Sequence, residues 1–396
     1  MKRILYLTFY FRPDLCAGSF RNSPLVDELA QQVGDRNIEV DVITTSPNRY
    51  ATYRKEFKEK ESLGNVTIER VVVPPHKSGV RDQILSFKTY FFEVLKRTKS
   101  RKYDLVFASS SRFFTSYLAY LIAKRNRAAL YLDIRDLFSE TVKNISDNPL
   151  IKYLVAPVTA NREKKVYQYA THINLISEGF QEDFKKYKKT TFSFFTHGVD
   201  PVFQINQEKN GQPGTGNPKR ILYAGNIGEG QGLHKIIPDA ANQLKERYLF
   251  RVIGDGGAKG KLTDRLKQLN VLNVELTDPI NRKEVVEEYK NADILFIHLN
   301  DLPIFQKVLP SKVFELAAVE KPILAGVNGY AREFLNNKVD GVFLFDPGDV
   351  EGLINQIQRI EQIEELNLSI DNGDFFKQYS RQQINKQLAS SILSYL

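Results

Sequence analysis

Glu315 stands inside an apolar run, "VLPSKVFELAAVEKPILAG" (308–326), between Val313 and Phe314 on one side and Leu316, Ala317, Ala318 and Val319 on the other. A helix dipole favours a carboxylate in a first helical turn, which accounts for a glutamate on an exposed face. It does not account for one set among apolar residues, where an unpaired carboxylate costs several kcal/mol. Such a group needs partners. Two adjacent hydroxyls, as on a ribose, would serve, because one carboxylate accepts both. Ser311 lies in the turn that leads in, and Pro322 cuts the helix off.

A second kind of chemistry is written in glycines. In "YAGNIGEGQGLHKII" (223–237), Gly225, Gly228, Gly230 and Gly232 follow an apolar strand and open a helix. Glycines let backbone N–H groups approach a phosphate, and a helix N-terminus adds favourable partial charge. An ordinary strand–helix turn is the competing reading. The spacing is neither a dinucleotide fingerprint nor a Walker A loop. "IGDGGAKGKL" (253–262) is a second glycine-rich strand end, weak alone because such sequences also make plain turns. Asp136, in "DIRD" (133–136), is either a general base or the partner of Arg135 or a neighbour in a salt bridge. The five histidines show no metal-ligand spacing, so no metal site is expected. Neither Cys16 nor Ser109–Ser111 has a local partner that would make a nucleophile.

The elements that position these residues alternate along the chain. "RILYLTFY" (3–10), "VDVITT" (40–45), "YDLVFASS" (103–110), "AALYLDIRD" (128–136), "THINLIS" (171–177) and "FSFFTHG" (192–198) are apolar strands separated by helical stretches. One such stretch, 23–33, sets Leu25, Leu29 and Val33 on a single face. After "INQEKNGQPGTGNPK" (205–219), a linker by composition, the pattern restarts with "RILYAG", "YLFRVIG", "NVELT", "ADILFIHL", "KPILAG" and "GVFLF". Continuous apolar strands joined by helices mean parallel sheets covered on both faces. The expectation is an α/β protein of two Rossmann-like domains facing a cleft: residues 1–204, a linker 205–219, residues 220–377, and a last helix 378–396 crossing back to the first domain. Ligands in such sheets bind at loops after the strands' carboxyl ends.

These segments, with "YFRPDLCAGSFRNSPLVDELA" (10–30), "DIRDLFSETV" (133–142), "VYQYATHINLISEGF" (166–180) and "THGVDPVF" (196–203), resemble the family 4 retaining glycosyltransferases of GT-B fold. More narrowly, they look like the bacterial O-antigen and capsule branch that includes the proposed N-acetylfucosamine transferases. The resemblance runs through essentially the whole chain. It implies a nucleotide-diphosphate sugar as donor substrate, held by the second domain, an acceptor held by the first, and no obligatory cofactor. Glu315 matches the second glutamate of the family's paired-glutamate motif, the one that binds the donor ribose. The donor-side set it implies is Gly225, Asn226, Gln231, Gly232, Gly254, Thr277, Ser311 and Glu315; Gly18, Arg21 and Ser110 fall on the acceptor side. Three positions depart from the pattern. Lys307 stands where the first glutamate belongs, Asn226 and Gln231 replace the arginine and lysine that grip the diphosphate, and no histidine lies near Ser109–Ser111. Lys307 and Lys312 are expected to supply the missing cations, with Asp136 as the alternative base to an oxygen of the leaving phosphate.

Composition bounds the rest. The 396 residues suit two domains, and a single cysteine excludes a disulfide within the chain. No window of roughly 18 apolar residues exists to span a membrane. The first eleven residues read better as a buried strand than as a signal peptide. The net charge of +9 gathers in residues 1–200. That favours an anionic surface partner for this half, and a membrane rather than nucleic acid, for which no motif is present. In "ILSFKTYFFEVLKRTKSRKYD" (84–104), Ile84, Phe87, Phe91 and Leu95 share a helical face that runs into a basic segment. The helix is either a core element or a membrane-surface element. With "KKYKK" (185–189), it suggests peripheral attachment at the cytoplasmic face of the plasma membrane and a lipid-linked saccharide acceptor. The competing functions are a nucleotide-sugar epimerase of the same architecture and a transferase-like subunit that binds a partner enzyme.

Overall fold

Unbroken apolar runs become strands buried on both faces: Ile4 to Leu7 of the first strand are wholly inaccessible. The computed structural model describes residues 1–48, 56–74, 80–110, 113–140, 156–203, 218–365 and 370–396. By internal packing the chain divides into two units, Met1–His197 with Gln382–Leu396, and Gly198–Arg381.

The first unit is built on β1 (Lys2–Leu7), β2 (Ile38–Thr45), β3 (Lys60–Leu63), β4 (Val66–Val71), β5 (Leu105–Ser110), β6 (Ala129–Ile134), β7 (His172–Leu175) and β8 (Thr191–Ser193). The sheet order is β3-β4-β2-β1-β5-β6-β7-β8, parallel except for the β3–β4 pair. Helix α1 (Ala17–Val33) follows β1 and buries Leu25, Leu29 and Val33, the face that its spacing marks. Leu388, Ala389 and Ile392, from the helix Arg381–Leu393, join the same core. His172 ties this helix to the sheet: its ring nitrogens lie 2.9 Å from Tyr395 Oη and 2.8 Å from Ser193 Oγ. Burial pushes its pKa down to about 4.

In the second unit, β9 (Lys219–Ala224), β10 (Tyr248–Ile253), β11 (Val274–Thr277), β12 (Ile294–His298), β13 (Ile323–Gly326) and β14 (Val342–Phe345) form a parallel sheet ordered β11-β10-β9-β12-β13-β14. Neighbouring residues of β9 enter opposite cores, as strand geometry requires. Leu222 packs with Leu295 and Phe314, and Ile221 with Phe250 and Phe296. In both sheets the chain reverses its direction of growth, between β1 and β5 in one and between β9 and β12 in the other. The crevice outside the carboxyl ends at such a point is where ligands bind in open α/β sheets.

Three details differ from the expectation. The first unit ends at His197, not 204, because Gly198–Phe203 packs into the second. Val199 N donates to Tyr379 O (2.6 Å), Arg381 N donates to Val199 O (2.8 Å), and the Phe203 ring lies 5.8 Å from that of Tyr289. The same backbone pairing holds residues to Arg381 in the second unit, so the returning segment starts at Gln382 rather than at 378. The antiparallel β3–β4 pair gives no signal in the sequence, because Lys60–Leu63 is a mostly exposed, charged strand without an apolar face. Most of the 205–219 linker lies outside the described residues.

Candidate functional site

In the second unit the glycines answer first to the backbone. Gly225 N donates to Ile253 O, Ile227 N to Asp255 O and Gly254 N to Thr277 O, each at 2.9 Å. These bonds carry the sheet's pairing past the strand ends, so the two glycine-rich loops lie directly on one another. A Cβ on Gly254 would stand 1.8 Å from Gly225 O. Only glycine permits that approach. Gly232, at φ +61°, precedes the single turn Leu233–Lys235.

Asn226 and Gln231 bind each other. Asn226 Nδ2 donates to Gln231 Oε1 (2.8 Å), which also accepts from Gly228 N (3.2 Å). They close the loop with neutral groups where the resemblance expected cations. Two residues at the end of β12 hold it from outside. Asn300 N donates to Gly230 O (2.8 Å) and its Nδ2 to Glu229 O (3.0 Å). His298 Nδ1 lies 2.6 Å from Gln231 O, and its Nε2 accepts from Gly348 N at 2.9 Å. That assigns the proton to Nδ1, and burial pushes the pKa down to about 4, so the imidazole is neutral at pH 7. Phe305 covers Gly230. The half-buried Lys307 therefore follows a turn that packs on the loop.

One cation reaches this assembly without a carboxylate partner among the described residues. Lys235 Nζ donates to the neutral Oδ1 of Asn300 at 3.0 Å. Lys235, Asn300 and His298 carry no motif signal of their own in the sequence. Spacing to the expected lysine pointed at Gln231, one turn earlier, and the two β12 residues are far away in sequence.

Glu315 is buried in the short helix Lys312–Ala317, which Ser311 precedes without a side-chain cap. Its Oε2 accepts from Lys312 Nζ at 2.6 Å and faces Tyr289 Oη at 3.4 Å; Lys312 Nζ also donates to Tyr289 Oη at 3.2 Å. Burial raises the carboxyl's pKa, but Lys312, Arg282 and Arg381 outweigh it and hold the group below its ordinary value. Burial likewise lowers the Lys312 ammonium, and Glu315 and Tyr289 overcome that to raise it. This corrects two expectations. The carboxylate has its counter-charge within the protein and does not wait for ligand hydroxyls to become tolerable. The Lys312 charge is already matched by Glu315, so it is not a free replacement for the diphosphate-gripping cations.

In the first unit, Arg21 leaves the acceptor side and becomes an internal tie. Its side chain is 1% exposed and holds Asp133 with two bonds, Nε to Oδ2 (2.8 Å) and Nη2 to Oδ1 (2.7 Å). Nη1 donates to Thr196 O and Nη2 to Phe195 O. Asp133 also accepts from Ser109 Oγ (3.1 Å) and Asn174 Nδ2 (2.8 Å). Among the described residues the ion pair made by "DIRD" is that of Asp133 with Arg21, not the one expected of Asp136 with Arg135 or a neighbour. Ser110 ends β5, buried, and Gly18 lies in the first turn of α1. Asp136 just past β6 has no ion pair with Arg135 among the described residues. Dense protein around it pushes its pKa up to about 6 against the pull of Arg135, yet the side chain is exposed. Solvent contact limits that shift, and the group is ionised at neutral pH.

Residues 204–374 match the family model described as glycosyl transferases group 1. The chain is 24% identical over 342 residues to a protein of Escherichia coli (strain K12), WcaI, described as a candidate colanic acid biosynthesis glycosyl transferase; the match covers 80% of this chain and 81% of that one. Among solved structures it resembles sucrose-phosphate synthase from Thermosynechococcus elongatus (TM-score 0.73, 13% identity, 100% and 99% of the two chains). It also resembles Anabaena HepE in complex with UDP-glucose (TM-score 0.67, 17% identity, all of both chains). The fold is that of the GT-B glycosyltransferases, and residues 204–374 are similar to the group 1 glycosyl transferases. The matched segment falls within the second unit, and the loop assembly of Gly225–Gly232, His298 and Asn300 lies inside it.

Proposed function

We propose that this glycosyltransferase moves a sugar, with retention of configuration, from a nucleotide-diphosphate donor to a lipid-linked saccharide in O-antigen or capsule assembly. The observation that carries the reading is the group 1 match over the segment that builds the loop assembly at the β9–β12 reversal. The colanic acid relative supports the polysaccharide setting, and the HepE complexes with UDP and UDP-glucose support a nucleotide-sugar donor. Glu315 receives the ribose hydroxyls, and Lys312 keeps it ionised. Lys235 stands beside the glycine loop as the cation for the diphosphate. The anomeric carbon–oxygen bond to the diphosphate breaks as the acceptor oxygen bonds to that carbon. The acceptor's proton passes to a leaving-phosphate oxygen, and local cations stabilise the departing charge.

A thermal-shift series with UDP, GDP and their sugars tests this, since a ligand of the native state must raise its stability. One nucleotide diphosphate is expected to raise the unfolding midpoint, with affinity weakened roughly tenfold by Lys235→Ala, the worth of one charge-assisted contact. No shift with any nucleotide would overturn the reading. The group 1 match also favours transfer over epimerisation and over a subunit without catalysis. Transfer lost in Glu315→Gln is the outcome that excludes the last.

Membrane attachment belongs to the same proposal. No helix among the described residues is long and apolar enough to cross a membrane. Helix α2 (Val80–Arg97) leaves Ile84, Leu85 and Phe92 more than half exposed, with Lys88 and Lys96 on its outer surface. Phe87, expected on the same face as Ile84, packs inward on Phe9 and Phe114. Apolar side chains ringed by lysines suit an anionic bilayer surface at the cytoplasmic face. Lys185–Lys189 lead into the edge strand β8, whereas α2 packs on β2 and β4, so α2 alone is assigned to the membrane. Ile84→Glu with Phe92→Glu is expected to abolish sedimentation with phosphatidylglycerol vesicles at low salt. Unchanged sedimentation would remove α2 from this role.

A further inference from the structure

His298 reaches further than the glycine loop. It is the last residue of β12, and its register partner on β13 is Gly326, which pairs in turn with Phe345 of β14. The ring lies across this row of strand ends. Nδ1 is 2.6 Å from Gln231 O in the loop after β9, and Nε2 accepts from Gly348 N, 2.9 Å away in the turn after β14. One imidazole therefore joins two loops across the ends of the neighbouring strands β9, β12, β13 and β14.

Its surroundings leave the ring one orientation. Phe296 and Phe345 stack on it, each with its centroid 6.1 Å away, at 15° and 26°. A Cβ on Gly326 would run into His298 Cδ2 and stand 2.6 Å from Phe345 Cζ, so β13 ends in glycine where the ring passes. The proton is placed as firmly. A backbone N–H only donates and a carbonyl oxygen only accepts, so Nε2 is bare and Nδ1 carries the hydrogen. Burial and the nearby Lys235 ammonium both resist a second proton.

The two ends of the ring hold different things. Gln231 closes the glycine loop: its Oε1 accepts from Asn226 Nδ2 and Gly228 N, and its own N donates to Gly228 O at 3.2 Å. The Gln231 carbonyl and the Gly232 amide belong to one peptide plane. Fixing that carbonyl therefore aims the Gly232 N–H, which donates to Gly228 O at 3.3 Å. At the far end, Gly348 lies just before the helix Val350–Glu365.

We infer that His298 is a positioning residue for the glycine loop. Through Nδ1–H it sets the Gln231–Gly232 peptide, and so the loop's shape for a bound diphosphate; through Nε2 it ties that shape to the turn after β14. The diphosphate as occupant rests on the function proposed above. The fixed loop shape does not.

Two substitutions in the full chain separate the ends, because an asparagine amide takes the place of Nδ1–H and a glutamine amide oxygen that of Nε2. His298→Asn keeps a donor for Gln231 O and gives up Gly348; His298→Gln does the reverse. Both are expected to unfold at a lower temperature than the wild type. Affinity for UDP or GDP, whichever stabilises the wild type, is expected to stay within about threefold in His298→Asn and to fall roughly tenfold in His298→Gln. Amide hydrogen exchange at Gly228, Gln231 and Gly232 should quicken in His298→Gln alone. Nitrogen-15 spectra of the wild type at pH 7 should show a neutral His298 ring with its proton on Nδ1. A role in stability alone would leave the two variants alike in affinity and in loop exchange, and that result overturns the assignment. So does a wild-type ring protonated on Nε2. A wild type that binds neither nucleotide overturns the function proposed above instead, and loop exchange with the ring's tautomer then decides this inference by itself.

Discussion

Arg21→Met is expected to lower the unfolding temperature of the first unit by on the order of 10 °C. The pair it breaks is fully enclosed, with side-chain exposures of 1% for Arg21 and 0% for Asp133. Methionine fills much of the space but leaves the carboxylate buried, with only Ser109 and Asn174 among the described residues to donate to it. Breaking one side of a buried pair costs about 3–5 kcal/mol, and a unit of this size loses roughly 2–4 °C per kcal/mol. The Thr196 and Phe195 carbonyls lose their donor as well, which loosens the segment that ends the first unit. Arg21→Lys should recover only part, since one ammonium cannot make two parallel bonds and reach two carbonyls. Calorimetry that finds a change below about 2 °C would show that Ser109, Asn174 and the nearby charge of Arg135 hold Asp133 without Arg21.

Lys312→Ala is expected to destabilise the second unit by about 3 kcal/mol at pH 7, at the lower end for a buried pair because the lysine keeps 26% of its side chain in solvent. The pH dependence carries the mechanism. In the wild type the carboxyl's pKa is held below its ordinary value, so the pairing contributes above about pH 4.5 and is lost as pH falls through the folded value. Without Lys312, burial is opposed only by Arg282 and Arg381, and the carboxyl protonates at higher pH. The gap between variant and wild type should therefore be widest at neutral pH and close toward pH 4. Urea unfolding across that range measures it. A gap independent of pH would mean that Lys312 acts by packing on Tyr289 rather than by charge. Donor affinity, measured beside it, should fall at neutral pH if an ionised Glu315 receives the ribose.

Strands were the most legible elements, because a parallel strand buried on both faces must be apolar at nearly every position, and "RILYLTFY" or "ADILFIHL" can be little else. The exposed, charged Lys60–Leu63 gave no such signal and escaped notice. Glycine positions in the second unit were legible as a strand-end feature, but their local reason was not. The amides of Gly225 and Gly254 continue the sheet, and that follows only from the register of β9, β10 and β11. The anomaly of Glu315 was visible in the run around it. Its explanation was three residues away, and a helical pitch that brings i and i+3 together supplied it. Lys235 and Asn300 were not legible as a pair, since 65 positions separate residues joined by one hydrogen bond.

By itself, the amino-acid order determined the layer architecture, the alternation of strand and helix in each half, and the strand ends at which chemistry was to be sought. These depend on local periodicity, which hydrophobic burial enforces residue by residue. The pairing of charges was decided only in three dimensions. The chain brings Arg21 and Asp133 together from 112 positions apart and spends both carboxylate oxygens on one arginine. Arg135 is thereby left against Gly18, its Nε and Nη1 without a hydrogen-bond partner among the described residues. Electrostatic partners are chosen by distance and burial in the folded state. No spacing rule in a sequence carries that information across a sheet.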